Sequence, residues 1–490
     1  MVIQEKSLKS WMTSSIVKIC LIFFFQKNIT LKIRNKPSRK LKAMNHSAYT
    51  IPVRLSLFLF FAIILYSCSD NDQLFDGGNG SEANPFQIST IEQLQEIGKE
   101  ENLNKHFIQV GDIDASVTVD PANARRFTRI GNQESPFTGS LNGNGYSIYD
   151  MVLNTGTDKL HNGLFGYVKE GVIRNIRVVN QVELSEETDP FTIRKAQTES
   201  MEFLIATEDD LLERSAFGFL VGYNDGGQIM NCFVQAKVAG KSRSLGGLVG
   251  INTGTIEDSK FTGTVSGLKS GAGLVGVNAG KVLDSSTTGR VSSQTVAGLV
   301  SYNIGGEISN SYSTTDVSSG FTVGGLVAYN SGLISASYSK ENSIFDSIGI
   351  IGGLVAQNEG EIIYSYARTE LFNLFESNRD IITGGLVGEN IENGKITNSY
   401  AAGKIDTPEQ GITAGLVGTN EGLLVNAYWD TDITGQSDGV GEGNSAVSAT
   451  GLTTNEMTGP AAEQNMPEFD WQTVWRTTDS YPELWWQDDE

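Results

Sequence analysis

Between residues 162 and 430 the chain repeats one short pattern of apolar and polar positions. A Leu-Val pair flanked by small residues runs into an Asn: GFLVGYN at 218, GGLVGIN at 246, AGLVGVN at 272 and AGLVSYN at 297. GGLVAYN at 324, GGLVAQN at 352, GGLVGEN at 384 and AGLVGTN at 414 continue it, and a weaker copy, NGLFGYV, starts at Asn162. The Leu positions are spaced 56, 28, 26, 25, 27, 28, 32 and 30 residues apart, so one copy is missing or replaced in the first interval. Aligned copies give columns. The Asn column is Asn224, Asn252, Asn278, Asn303, Asn330, Asn358, Asn390 and Asn420. A Gly column (Gly254, Gly280 and equivalents) follows, then an aliphatic one (Ile256, Val282, Ile308 and equivalents), then a small one (Cys232, Ser259, Ser285, Ser311, Ser337, Ser365, Ser399, Ala427).

Short Leu-Val runs bounded by Gly and Asn predict strands that end in turns. Gly and Asn tolerate the positive φ a corner demands, whereas Gly in a helix interior costs about 1 kcal/mol. A period of 25–28 residues predicts a coil of three short strands and three bends. One such coil cannot bury its apolar face alone, but stacked neighbours can. Stacking at about 4.8 Å places identical residues above one another, so the Asn column predicts a ladder of side-chain amides. Parallel crossovers are right-handed. The expectation is an all-β fold, a right-handed parallel β-helix (β-solenoid). A β-propeller blade needs about 40 residues and does not match the period.

The repeats GGLVGINTGTIEDSKFTGTV and AGLVGVNAGKVLDSSTTGRV resemble GLUG motifs. These occur in bacterial cell-surface proteins, including adhesins and the non-catalytic part of IgA-protease-type metallopeptidases. The resemblance covers residues 162–430 and implies a surface β-solenoid, without by itself implying a ligand or an activity.

The flanks read as closures of the open solenoid ends. In residues 85–160, Ser89 with Glu92 forms a capping-box pattern, and Ile91, Leu94 and Ile97 fall on one face of a short helix. This segment is expected to be an N-terminal cap with lead-in coils. Residues 161–430 form the repeat region, and residues 431–490, with four of the six Trp and a fifth, Trp429, just before them, are expected to cap the other end. An insertion at 181–216, with ten acidic and three basic side chains, interrupts the repeats and includes a helical pattern around 209–214.

Composition changes the picture at the N-terminus. Residues 1–67 hold 11 of the 36 Lys and Arg and one acid, Glu5; residues 68–490 carry a net charge of −31 against −21 for the whole chain. The run LSLFLFFAIILYSC behind Arg54 has the layout of a secretory signal. Its end, Leu65-Tyr66-Ser67-Cys68, resembles a bacterial lipobox, which implies cleavage before Cys68 and acylation of its thiol. Met44 begins a self-sufficient signal, and residues 68–84 read as the lipid-anchored linker. The expected location is the outer membrane, exposed at the cell surface, with membrane attachment through the lipid alone. A strongly acidic chain repels phosphate backbones, so nucleic acid is not an expected partner.

Candidate chemistry is sparse. Gly435-Gln436-Ser437-Asp438-Gly439 matches G-x-S-x-G, but no His follows His161 to serve it, and H-E-x-x-H is absent. No catalytic residue and no cofactor are expected. Asp430 and Asp432 resemble the start of a calcium loop whose twelfth position, Gly441, lacks the required Glu. Tyr312, Tyr338, Tyr366, Tyr400 and Tyr428 occupy one position in five successive repeats. Facing outward they would make a stripe for stacking on sugar rings; facing inward, a core stack. The expected function is adhesion or non-catalytic scaffolding, with surface or extracellular glycans or proteins as partners. The alternative is glycan binding or polysaccharide cleavage in a carbohydrate-uptake system.

Overall fold

The computed structural model describes residues 74–119, 127–153, 161–180, 215–318, 320–345, 347–372, 381–407, 411–444 and 449–489. The leader, Cys68, nearly all of the insertion 181–216 and its helical pattern lie outside them.

The repeats are coils of a right-handed parallel β-helix. Most coils have four strands rather than three, as in Ser244–Gly246, Val249–Asn252, Thr255–Glu257 and Lys260–Gly267, and in the last repeat the third and fourth merge into Leu423–Asp430. Each strand pairs in parallel with its counterpart one coil on, so that Val249 meets Val275, Ile256 meets Val282 and Val265 meets Val291. First strands build a nine-stranded sheet and second strands a ten-stranded one. Third and fourth strands share a 23-stranded sheet, creased between them. The Leu-Val columns fill the interior: Leu248, Leu274, Val249 and Val275 are fully buried in one continuous core.

The GGLVG phrase holds a corner between two strands and is not one strand. The first strand ends at Gly246 and the second begins at Val249. A Cβ on Gly247 would lie 2.1 Å from the carbonyl oxygen of Gly273, and one on Gly325 would lie 2.0 Å from that of Gly353. Backbone passes over backbone at this corner, which leaves no room for a side chain. The crease between third and fourth strands uses a different device. Asn231, Asp258, Asp284, Asn310, Asn398 and Asn426 all sit at φ 46–50° there, in the left-handed region these residues tolerate best. Ala336 (φ 45°) and Tyr364 (φ 54°) adopt the same conformation without that aptitude.

Before the repeats, Phe86–Ile88, His106–Gln109 and Ser140–Asn142 already stack in the large sheet, leading to Val172–Arg174. The helix Ile91–Glu96 covers this end with Leu94, and Ile97 just beyond it is also fully buried. Its capping box lies one residue later than the sequence pattern indicated. Thr90 accepts from the Gln93 backbone, and the Gln93 side chain accepts from the Thr90 N–H. Glu92 points into the first turn, where its charge suits the helix dipole.

The C-terminal segment departs from the expectation of an end cap. Val440–Gly443 and Ala449–Leu452 add a last partial coil. Residues 453–489 then fold back along the flank of the solenoid and reach as far as Ala336, whose carbonyl accepts from Trp486 Nε1 at 3.0 Å. Among the described residues no helix is long and apolar enough to cross a membrane.

Candidate functional site: columns along the solenoid

Side chains in this fold occur as columns, so a functional surface must be assembled from them. The inner polar columns are consumed by the fold. From Asn224 to Asn390 each Nδ2 donates to the Oδ1 of the next Asn at 2.8 Å, all the way to Asn420. A second amide hydrogen binds the Gly carbonyl of the same turn, as from Asn303 to Gly306 at 3.0 Å. Only the first acceptor, Asn224 Oδ1, is left buried without a partner, because Val168 replaces Asn in the preceding coil.

The small column is a second ladder that the sequence pattern did not reveal. The backbone N–H of Cys232 donates to Ser259 Oγ at 3.1 Å, that of Ser259 to Ser285 Oγ, and so on to Ser399. Each hydroxyl turns back to the carbonyl two residues before it, as from Ser311 to Ser309 at 2.8 Å. This closes the backbone groups opened by the crease. Cys232 starts the ladder, and burial pushes its thiol up to about 12. That makes it an inert packing group.

The tyrosine stripe faces outward from the large sheet, yet it is not presented to a ligand. Tyr338, Tyr366 and Tyr400 are fully buried and Tyr428 nearly so. Their rings stack face to face at 4.9–5.0 Å with interplanar angles of 4–8°, extended by Tyr312 at 4.9 Å. The C-terminal segment covers them. Tyr400 donates to the Pro482 carbonyl and Tyr428 to Glu468, while Trp486 lies 5.6 Å from the Tyr338 ring. Glu483 anchors the same segment to Lys340 and Arg368 of the solenoid and is held within the segment by Arg476. Burial raises the Tyr366 and Tyr400 hydroxyls well above their usual range. Of the two readings open to these tyrosines, a sugar-stacking stripe or a core stack, the structure shows a third arrangement, an outward stack that clasps the C-terminal segment.

Asp430 and Asp432 are likewise occupied otherwise than by calcium. Asp430 is fully buried and caps the helix Thr431–Thr434, accepting from the N–H groups of Asp432 and Ile433 at 2.9 Å. Its other oxygen accepts from Tyr481 at 2.7 Å, and Asp432 accepts from the Thr454 N–H at 3.1 Å. Among the described residues no group of three or more His, Cys, Asp and Glu is arranged around a metal position.

The family model for the GLUG motif matches residues 242–266 and 381–406. Two of the solenoid's coils carry the GLUG motif. Each matched stretch is one full coil, running from the first strand through the glycine corner and the Asn to the fourth strand. A 137-residue stretch is 31% identical to a Gly-rich membrane protein of Evansella cellulosilytica, covering 28% of this chain and 16% of that protein. A 186-residue stretch is 30% identical to halomucin of Haloquadratum walsbyi, covering 36% of this chain and 2% of that protein. The chain thus spans a small part of the length of both relatives. Among solved structures, one from Bacteroides ovatus named for an immunoglobulin A1 protease is similar at 16% identity and a TM-score of 0.34, over 84% of this chain and 96% of that one.

Among the outward columns left partly open on the solenoid coils, one belongs to the second strands. It runs Tyr167, Tyr223, Ile251, Val277, Tyr302, Tyr329, Gln357, Glu389, Thr419 and Glu442 on the ten-stranded sheet. Ile251 and Val277 are buried with Ala216 and Ile304, and Tyr223, Tyr302 and Tyr329 rest half-buried against them. At its start lies His161, whose ring meets Tyr223 at 5.1 Å and whose Nε2 is buried without a partner. Burial, and then the Arg129 charge, lowers its pKa to about 4. The sequence pattern hid this column because its residue type changes from coil to coil while its position does not.

Proposed function

We propose that this protein is displayed on the cell surface as a non-catalytic binding rod acting in adhesion. The observation that carries the reading is the parallel register that the first three strands of the coils keep from one coil to the next. It turns outward residues into long columns instead of one enclosed pocket, a geometry suited to an extended or repeated partner such as a surface glycan or protein. The relatives' names, a membrane protein and halomucin, support a surface location. In this reading Cys68 carries the lipid and the polar segment after it is the tether. The test is adhesion of beads coated with the chain, alongside a reducing-sugar release assay on polysaccharides. Retention on cell surfaces or extracellular matrix is expected; release of reducing ends would overturn the non-catalytic reading. Mass spectrometry of the membrane-extracted protein is expected to find a diacylglyceryl group on Cys68, and its absence would remove the anchor.

A further inference from the structure

We infer that the column Tyr302, Tyr329, Gln357, Glu389 and Thr419 binds a single extended, uncharged polysaccharide chain lying along the solenoid axis. This rests on the binding reading above and names its ligand class. The five residues stand on consecutive coils in direct register. Coils repeat at about 4.8 Å, close to the advance per sugar of an extended β-linked pyranose chain, so one ring falls on each coil. All five are half-buried, in contrast to the fully buried Tyr338, Tyr366 and Tyr400.

The chemistry changes along the strip in the order such a ligand requires. Two half-buried tyrosine rings, 6.4 Å apart and tilted 50° to each other, offer apolar surface for the C–H side of a pyranose, and both rest on the buried aliphatic cluster beneath them. The next coils offer acceptors. Tyr329 donates its hydroxyl to the Glu359 carboxylate, and Gln357 Nε2 donates to Glu389 Oε2 at 2.7 Å. These bonds hold the carboxylates in place while their remaining lone pairs stay available for sugar hydroxyls. Groups fixed before binding lose less entropy when the ligand arrives.

Charge selects the class of glycan. Glu359, Glu389, Glu421 and Glu442 all lie on or beside this strip, on a chain segment of net charge −31. A uronate or sulfated chain would be repelled along its whole length, whereas a neutral one donates hydroxyls to the same carboxylates.

Affinity electrophoresis of the full chain through gels holding xyloglucan, a mixed-linkage β-glucan or polygalacturonate tests this. Retardation by at least one of the two uncharged polymers and none by polygalacturonate is expected. The double variant Tyr302→Ala/Tyr329→Ala is expected to lose affinity about tenfold or more. Gln357→Ala/Glu389→Ala, at half-buried surface positions, is expected to weaken binding with an unchanged melting temperature. Binding that survives both double variants, or equal retardation by polygalacturonate, overturns the strip. Adhesion of coated beads with no retardation by either uncharged polymer overturns the strip and leaves the adhesion reading standing.

Discussion

Tyr400 projects from the outer face of its coil and donates its hydroxyl to the carbonyl of Pro482 at 2.6 Å, across 82 residues of chain. The contact sits in the middle of the stack Tyr338–Tyr366–Tyr400, so sheet and C-terminal segment bury each other's aromatics. Trp475 is fully buried by the same packing, 5.7 Å from the Tyr400 ring. Tyr400→Phe removes one hydrogen bond and is expected to cost about 1 kcal/mol. Tyr400→Ala opens the stack and is expected to cost about 3–5 kcal/mol. Urea denaturation gives both values, and limited trypsin digestion should cut the Ala variant sooner after Arg476. Unchanged cleavage at that site would mean the clasp is not held by the stack.

The Asn ladder predicts a position effect. Asn330→Ala strands a donor on Asn303 and an acceptor on Asn358, both fully buried, for an expected loss of about 2–4 kcal/mol. Asn224→Ala leaves only the Asn252 acceptor stranded on the neighbouring rungs, beside the Gly227 carbonyl of its own turn, since Asn224 Oδ1 has no partner to lose. Its cost should be roughly half as large. Equal losses in the two variants, measured by thermal melting at one pH, would contradict a ladder that acts rung by rung.

His161 gives a pH window. Its pKa is lowered from 6.5 to about 4 by burial and by Arg129. The folded state therefore binds that proton less readily than the unfolded state. The resulting stability is fully present above pH 6.5 and is lost as pH falls from 6.5 towards 4, about 3 kcal/mol in all. His161→Phe, beside Tyr167 and Tyr223, should flatten the dependence of melting temperature on pH in that window. A variant that tracks the wild type between pH 6.5 and 4 would assign the acid loss to other groups.

Ala336 occupies the crease where most coils place Asn or Asp, at φ 45°. Ala336→Gly removes the Cβ that makes this conformation costly and is expected to stabilise the protein by about 0.5–1 kcal/mol. The Trp486 bond is to the backbone carbonyl and should survive the change. A lower melting temperature in this variant would show that the methyl group's packing outweighs the strain.

Asp430 predicts insensitivity to metal removal. A chelator should leave the melting temperature unchanged, whereas Asp430→Ala should lower stability by about 2 kcal/mol or more by releasing two backbone N–H groups and Tyr481. A chelator-induced drop restored by calcium would reverse this assignment.

The repeat, the columns and the parallel stacking were legible because register makes each column answer to one environment. Asn252 and Asn278 recur since both must bridge to the next coil. The motif's glycines misled in one respect: Gly246-Gly247 bounds a corner inside the phrase, so the coil holds one strand more than the pattern suggests. Thr90 and Gln93 were as visible as Ser89 and Glu92, and only the chain path separates the two boxes. The tyrosine stripe could not be assigned because direction at the crease depends on the positive φ of the residue two before it. What covers the stripe comes from residues more than 80 positions away in the case of Tyr400.

The first three strands tolerate almost no change in length, since the span from the first strand to the crease varies by only two residues between coils. The connection from the fourth strand to the next coil is different. It runs from two residues (293–294) to thirty-six (180–215). Sequence can therefore be lengthened or exchanged at one edge of the solenoid while the ladders and the glycine corner stay fixed. Surface variety and structural upkeep are thus placed on separate parts of every coil, and grafted peptides should be accepted at 293–294 far better than at Asn252.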